Sequence, residues 1–207
     1  MLVTPAIGDV GLDPPLTIPE NSGPRAAPPL KLQELSTRCN DHAGYRRRVP
    51  DLTFAAVDPT SAAATGILRE YFADIVGRHH TRAATSQQID DAIQHEPSAD
   101  LCGKTGALIV ATRAGVTIGC GGLRFVDRAT SELTRVFVRP DQRGAGGGEQ
   151  IVTELEQRAR DIGHDLVRLD TRSDLSEARR LYSRLGYTEV VAFNSEPYAQ
   201  HWLAKRL

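Results

Sequence analysis

At 207 residues and 40% hydrophobic content, the chain is long and apolar enough for one ordinary domain with some surplus. A formal charge of -1 argues against an electrostatic nucleic-acid binder, which carries a strong positive excess. Cys39, Cys102 and Cys120 are scattered and odd in number, which excludes a disulfide framework or zinc-finger spacing; with no apolar run of membrane-spanning length and no secretory leader pattern, a cytoplasmic protein without a membrane partner is expected.

Residues 1–50 differ from the rest. Proline recurs from Pro5 to Pro29 among glycine and small polar residues, removing donors and fixing backbone angles, so a disordered extension is predicted there. The folded domain is expected over residues 51–207. Leu52–Val57 reads as a first strand, broken by Asp58 and Pro59. Thr60 or Ser61 caps a helix to about Val76, with Ala64, Leu68, Tyr71, Phe72 and Ile75 on one face. A second helix runs from Ser86, turns Ile89, Ala92 and Ile93 inward, and stops before Pro97. Between the helices, adjacent His79 and His80 point to different sides of any regular element; they are poor joint metal ligands, a surface loop is predicted, and no metal is expected.

Ala107–Thr112 and Val116–Phe125 read as strands around a tight turn at Arg113, Ala114 and Gly115. Asp127–Thr130 turns the chain into a strand carrying Val136, Phe137 and Val138, which Pro140 ends. Arg143, Gly144, Ala145, Gly146, Gly147 and Gly148 then feed a helix with Ile151, Val152, Leu155 and Ala159 on one face, closed by Gly163. Leu166–Asp170 is the next strand, expected parallel to Leu133–Val138 because a helix crosses between them. Ser176–Leu185 reads as a helix stopped by Gly186, and Thr188–Phe193 with Gln200–Arg206 as a closing strand pair. The resulting class is α/β (α+β): a mixed sheet with helices on both faces.

Strand, glycine turn and helix together leave bare N–H groups at a helix N-terminus, which is an anion site. A P-loop fails, because Gly103-Lys104-Thr105 has Ser98 where the first glycine belongs. A dinucleotide fingerprint fails, because Gly144 and Gly146 are followed by Glu149 where a third glycine belongs. The run Arg143-Gly144-Ala145-Gly146-Gly147-Gly148, five residues after Val138, resembles the phosphate loop of GNAT-superfamily N-acetyltransferases. Ala178, Leu181-Tyr182 and Gly186-Tyr187 resemble the same family's later signature. Gly121-Gly122-Leu123-Arg124, Glu132-Leu133-Thr134-Arg135, and the tail from Asn194 through Pro197-Tyr198-Ala199 to Trp202 are similar to uncharacterised bacterial members. The resemblance covers about residues 51–207.

The resemblance implies a mostly antiparallel sheet of six to seven strands, with acetyl-CoA in the splay between the fourth and fifth. Val136, Phe137 and Val138 would meet the pantetheine arm; Arg143, Gly144, Ala145, Gly146, Gly147, Gly148 and Glu149 would hold the pyrophosphate. Leu175 departs from the pattern, since many relatives carry an asparagine there. The acceptor is a small-molecule or protein amine, and a homodimer is left open. Tyr182 is a core ring by spacing alone, and by the resemblance the general acid for the leaving thiolate. Glu132 is the candidate base or amine holder, or else a surface carboxylate. Arg124 either pairs with Glu132 or binds an acceptor carboxylate. Tyr198 and Trp202 wall the acceptor pocket or fill the sheet edge. The alternative activity is a non-catalytic module that binds and senses acyl-CoA.

Overall fold

A computed structural model describes residues 52–207, so the expectation for residues 1–50 lies outside the described residues. Seven strands form one sheet in the order β1-β2-β3-β4-β5-β7-β6. They are β1 (Thr53–Val57), β2 (Gly106–Arg113), β3 (Val116–Phe125), β4 (Thr130–Val138), β5 (Leu166–Thr171), β6 (Thr188–Glu189) and β7 (His201–Arg206). The helices are α1 (Ala62–His79), α2 (Ser86–His95), α3 (Gly147–Asp161) and α4 (Ser176–Arg184). Every strand pair is antiparallel except β4 with β5. Among the described residues, no helix is long and apolar enough to cross a membrane.

The first two helices start where the sequence supplies a partner for free N–H groups. The Ser61 hydroxyl accepts from the Ala64 N–H at α1, and Thr85 and Gln88 form a reciprocal capping box at α2. The helices then bury opposite faces of the sheet. Ile151, Val152, Leu155 and Ala159 of α3, with Tyr182 of α4, pack against Ile118, Leu123, Leu133 and Leu169. Ala64, Ile67 and Leu68 of α1 pack on the other face against Leu108, Val110, Cys120 and Phe137.

Two features of β4 shape the molecule. Cys120 pairs with Phe137 but Gly122 pairs with Thr134, so β4 carries one extra residue. The bulge puts Arg135 at φ 53°, a costly conformation for a branched chain, held by tertiary bonds. Secondly, β4 and β5 pair only from Thr130↔Leu166 to Glu132↔Arg168. Beyond that point the two strands separate, and the β5-facing edge of β4 has no neighbouring strand.

The structure departs from the sequence expectation in two places. α1 continues to His79, and His80 is its C-cap, so the histidines end a helix instead of lying in a loop. The strand predicted over 188–193 shrinks to Thr188–Glu189, because β7 inserts between β5 and β6 and offers β6 only one pairing edge. Val191 then lies 89% exposed while Asn194 turns back to the sheet.

Candidate active site

The glycine turn is built as its residue types require. After Val138, Pro140–Gln142 makes one 3₁₀ turn, and Gly144 and Gly146 take φ values of 82° and 76°, open to glycine without penalty. Gly146 caps α3, and the first bond of the helix runs from the Gln150 N–H to the Gly146 carbonyl at 3.1 Å. The N–H groups of Gly147, Gly148 and Glu149 therefore point out of the helix end without a backbone acceptor among the described residues. Together with the helix dipole they form a concave, positive surface fit for a pyrophosphate. Ala145 is exposed beside them. Arg143 is committed elsewhere: its Nε donates to the Val138 carbonyl at 3.0 Å and its Nη2 to Asp74 of α1 at 2.9 Å.

The gap between β4 and β5 opens on a cleft of about 890 Å³, lined by α1, α2 and the loop after it, both strands, α4 and the segment around Tyr198. The volume lies within the range of about 300–1,000 Å³ usual for ligand pockets. Val136 lines the cleft; Phe137 is buried edge-on to Tyr71 at 6.2 Å; the methyls of Val138 lie beneath Gly147. Leu175 also lines the cleft and sits at the N-cap of α4 without a side-chain capping bond.

Tyr182 projects from α4 into this gap. It is 6% exposed, its ring meets Tyr187 edge-on at 5.5 Å, and its hydroxyl has no hydrogen-bond partner among the described residues. Burial pushes the phenol well above its ordinary range, and the neighbouring Tyr71 and Asp170 push the same way. Tyr182 is thus both a core ring and a protonated donor at the cleft wall.

Glu132 and Arg124 meet in a charged row that crosses three strands. Register pairs Arg124 with Glu132 and Glu132 with Arg168. Glu132 Oε1 accepts from Arg124 at 3.1 Å and Oε2 from Arg168 at 3.0 Å, while Arg124 Nε donates to Asp100 at 2.5 Å. Both Glu132 oxygens are therefore engaged, and Arg124 pairs with protein carboxylates. Arg168 also stacks over Phe193 at 4.0 Å.

Tyr198 stands 53% exposed at the cleft mouth, edge-on to His79 at 5.4 Å. Trp202 reaches the cleft only indirectly: its Nε1 donates to Asn194 Oδ1 at 2.7 Å, and Asn194 Nδ2 donates to Asp170 at 2.8 Å. Asp170, Asp100 and Arg168 were not singled out in the sequence, and Arg135 was named only within the run Glu132-Leu133-Thr134-Arg135. Period-2 alternation in β5 was the available signal, with Arg168 and Asp170 between buried Val167, Leu169 and Thr171. Arg135 closes the far wall. Its guanidinium bonds Ser98 and both the side chain and backbone of Glu96, and lies 5.0 Å over Phe72.

Comparison with known proteins follows the same outline. Residues 67–187 match the family model described as the acetyltransferase (GNAT) family. An uncharacterised N-acetyltransferase of Schizosaccharomyces pombe is 31% identical over 116 residues, spanning 55% of this chain and 68% of the relative. An IAA acetyltransferase of Azospirillum brasilense is 26% identical over 154 residues, spanning 72% of this chain and 92% of the relative. The solved PaiA N-acetyltransferase of Thermoplasma acidophilum, in complex with coenzyme A, superposes with a TM-score of 0.60 at 14% identity, over 76% of this chain and 99% of that one.

Proposed function

The chain belongs to the GNAT family of acetyltransferases, and from that premise we propose that it transfers the acetyl group of acetyl-CoA to a primary amine by direct attack, with Tyr182 as general acid. The observation that carries the reading is the Tyr182 hydroxyl, unpartnered among the described residues and carried by a buried ring at the wall of the β4–β5 gap. The glycine turn supports acetyl-CoA as donor substrate, since the N–H groups of Gly147, Gly148 and Glu149 offer a cradle for pyrophosphate. The β5-facing edge of β4 at Val136 to Val138, which pairs with no strand and has only its Val138 carbonyl taken by Arg143, supports strand-like pairing with the amide-bearing pantetheine arm. Leu175 has no amide to offer the donor, which leaves the turn and the β4 edge to hold it.

Amide formation needs three things of the protein: a neutral amine, a polarised thioester carbonyl and a proton for the departing sulfur. The amine nitrogen bonds to the acetyl carbon, the carbon–sulfur bond breaks with its electron pair on sulfur, and Tyr182 gives that sulfur a proton. A phenol raised by burial stays protonated at neutral pH, so the acid is ready in every turnover. Glu132 enters this scheme as a fixed anion on the acceptor side. Each of its oxygens already accepts from an arginine, so a direct approach of the amine to Glu132 would have to displace one of these bonds.

The test is calorimetric titration with coenzyme A beside thiol release from acetyl-CoA across a panel of amines. Binding of coenzyme A together with acceptor-dependent thiol release is expected. Tight binding with no acceptor ever acetylated would overturn the transferase reading in favour of an acyl-CoA sensor.

A further inference from the structure

Because β4 and β5 stop pairing at Glu132 and Arg168, their far ends form two lips. The glycine turn follows β4, and residues 172–175 lead from β5 into α4. Both lips are tied to α1. On the first, Arg139 grips Glu70 with two hydrogen bonds, at 2.7 and 2.5 Å. On the second, Arg172 Nη1 donates to the Ile75 carbonyl at 3.3 Å, and the same guanidinium pairs with Asp174. Between these anchors runs a looser chain of charges. Arg143 of the turn donates to Asp74 Oδ2 at 2.9 Å. Arg78 Nε, one turn further along α1, lies 3.0 Å from the same oxygen. Arg78 Nη1 then bonds Glu177 in the first turn of α4.

This chain differs from the anchors in its chemistry. One oxygen of Asp74 serves two guanidiniums, whereas Glu70 gives Arg139 both of its oxygens. The four side chains keep between 20% and 49% of their surface in water. Ion pairs so exposed are weak and screened by salt, so a multiply charged anion can displace them. Burial works to raise the Glu177 carboxyl, but its own backbone N–H, Arg78 and then Arg143 hold it below its ordinary range. Glu177 therefore feels both arginines, which places the two cations in one neighbourhood. Beside Arg143, the N–H groups of Gly147, Gly148 and Glu149 point out of α3 without a backbone acceptor among the described residues. Planar guanidiniums next to bare N–H groups suit a diphosphate, which each arginine can grip with two parallel bonds.

Resting on acetyl-CoA as the donor, we propose that Arg78 of α1 joins Arg143 as a ligand of the donor diphosphate, and that Asp74 and Glu177 hold both arginines in the free protein until the diphosphate displaces them. The exchange keeps charges paired: each arginine trades a carboxylate for a phosphate, and the two carboxylates return to water. Arg143 keeps its Nε bond to the Val138 carbonyl, so only its outer nitrogens change partner. Asp74 and Glu177 thereby act as internal competitors that set the donor affinity. A thioester without phosphates never meets this exchange. Arg78 lies in α1, remote in sequence from the glycine turn, so no spacing within the turn reveals it.

The experiment titrates the full chain with coenzyme A and with 3′-dephospho-coenzyme A by calorimetry, and measures KM for acetyl-CoA and for S-acetylpantetheine. Arg78→Gln is expected to raise the Kd of both coenzymes by about tenfold, with the KM for S-acetylpantetheine within about twofold of the parent. Asp74→Asn combined with Glu177→Gln is expected to lower both Kd values by about fivefold, because the internal competitors are gone. A merely structural bridge gives the opposite sign, so weaker binding in that double variant overturns the proposal. Arg78→Gln within about threefold of the parent Kd also overturns it. So does an Arg78 effect that disappears with 3′-dephospho-coenzyme A, which assigns the arginine to the 3′-phosphate instead. Each of these results leaves acetyl transfer standing. A parent chain that binds no coenzyme A overturns the donor reading and this one with it.

Discussion

Tyr182→Phe isolates one oxygen atom. The ring keeps its place against Tyr187 and the α3 core, and the deleted hydroxyl has no hydrogen-bond partner to strand. The expected change in stability is therefore within about 1 kcal/mol, below the cost of breaking a made hydrogen bond. Catalysis should respond on a different scale. A positioned general acid contributes roughly 10²–10⁴ in rate, or about 3–5 kcal/mol at 1.36 kcal/mol per decade. The assay is thiol release at saturating acetyl-CoA and amine, with the coenzyme A Kd and the thermal midpoint measured on the same preparation. A loss of at least about 100-fold in kcat, with Kd and midpoint nearly kept, is expected. Because burial raises the phenol, the parent's activity should not fall below about pH 10 through ionisation of this group. If kcat stays within about threefold of the parent while acetyl-CoA still binds, Tyr182 is a core ring only and the acid lies elsewhere.

Four further outcomes are expected. Gly146→Ala meets only Gln150 Nε2 at 3.8 Å, so its cost is the left-handed backbone at φ 76°, about 1–2 kcal/mol; as the turn relaxes, calorimetry should show coenzyme A binding weakened by about tenfold, and an unchanged Kd would remove the turn from the donor site. The buried Cys120 thiol is pushed up to about 12 by desolvation, so at pH 8 a thiol reagent followed by peptide mass analysis should label exposed Cys102 and spare Cys120. The same raised group keeps its proton in the folded state: its stabilisation is whole below its ordinary 9.0 and is lost as pH rises toward 12, so the urea midpoint should fall between pH 8 and pH 11. Arg135→Ala removes a guanidinium that is 6% exposed and bonded to Glu96 and Ser98, and should cost about 2–4 kcal/mol in urea denaturation; a loss within error would mean that the β4 bulge holds itself.

The elements that were legible in the sequence are those governed by local interactions. Val136–Val138, the glycine run and the α3 face can be read in order because strand breaking by Pro140, left-handed turns at Gly144 and Gly146, and 3.6-residue periodicity each involve residues a few positions apart. The parallel direction of Leu166–Asp170 to the fourth strand was likewise readable from the crossover helix, although the ladder forms at Thr130–Glu132 and not along Leu133–Val138. Val190–Phe193 misled the same reasoning. Its apolar run looks like a strand, but only Thr188 and Glu189 form a ladder with β7, and after the Val190 N–H bonds the Trp202 carbonyl the chain leaves the sheet with Val191 in solvent.

The site divides along the same line. The glycine turn and Tyr182 could be named from the sequence, because the anion cradle is local and the resemblance carries the tyrosine. That Arg124 pairs with protein carboxylates could not be read; it follows from the register that aligns Arg124, Glu132 and Arg168 and from the approach of Asp100 from the loop after α2. Charge pairing falls off with distance and depends on which residues face each other across strands, and no spacing along one chain encodes that. The sequence by itself determined the strand, the turn, the helix and the identity of the groups they carry. Only the tertiary structure decided that β4 and β5 part after Glu132, that Tyr182 fills their gap, and that Asn194 ties Asp170 to Trp202.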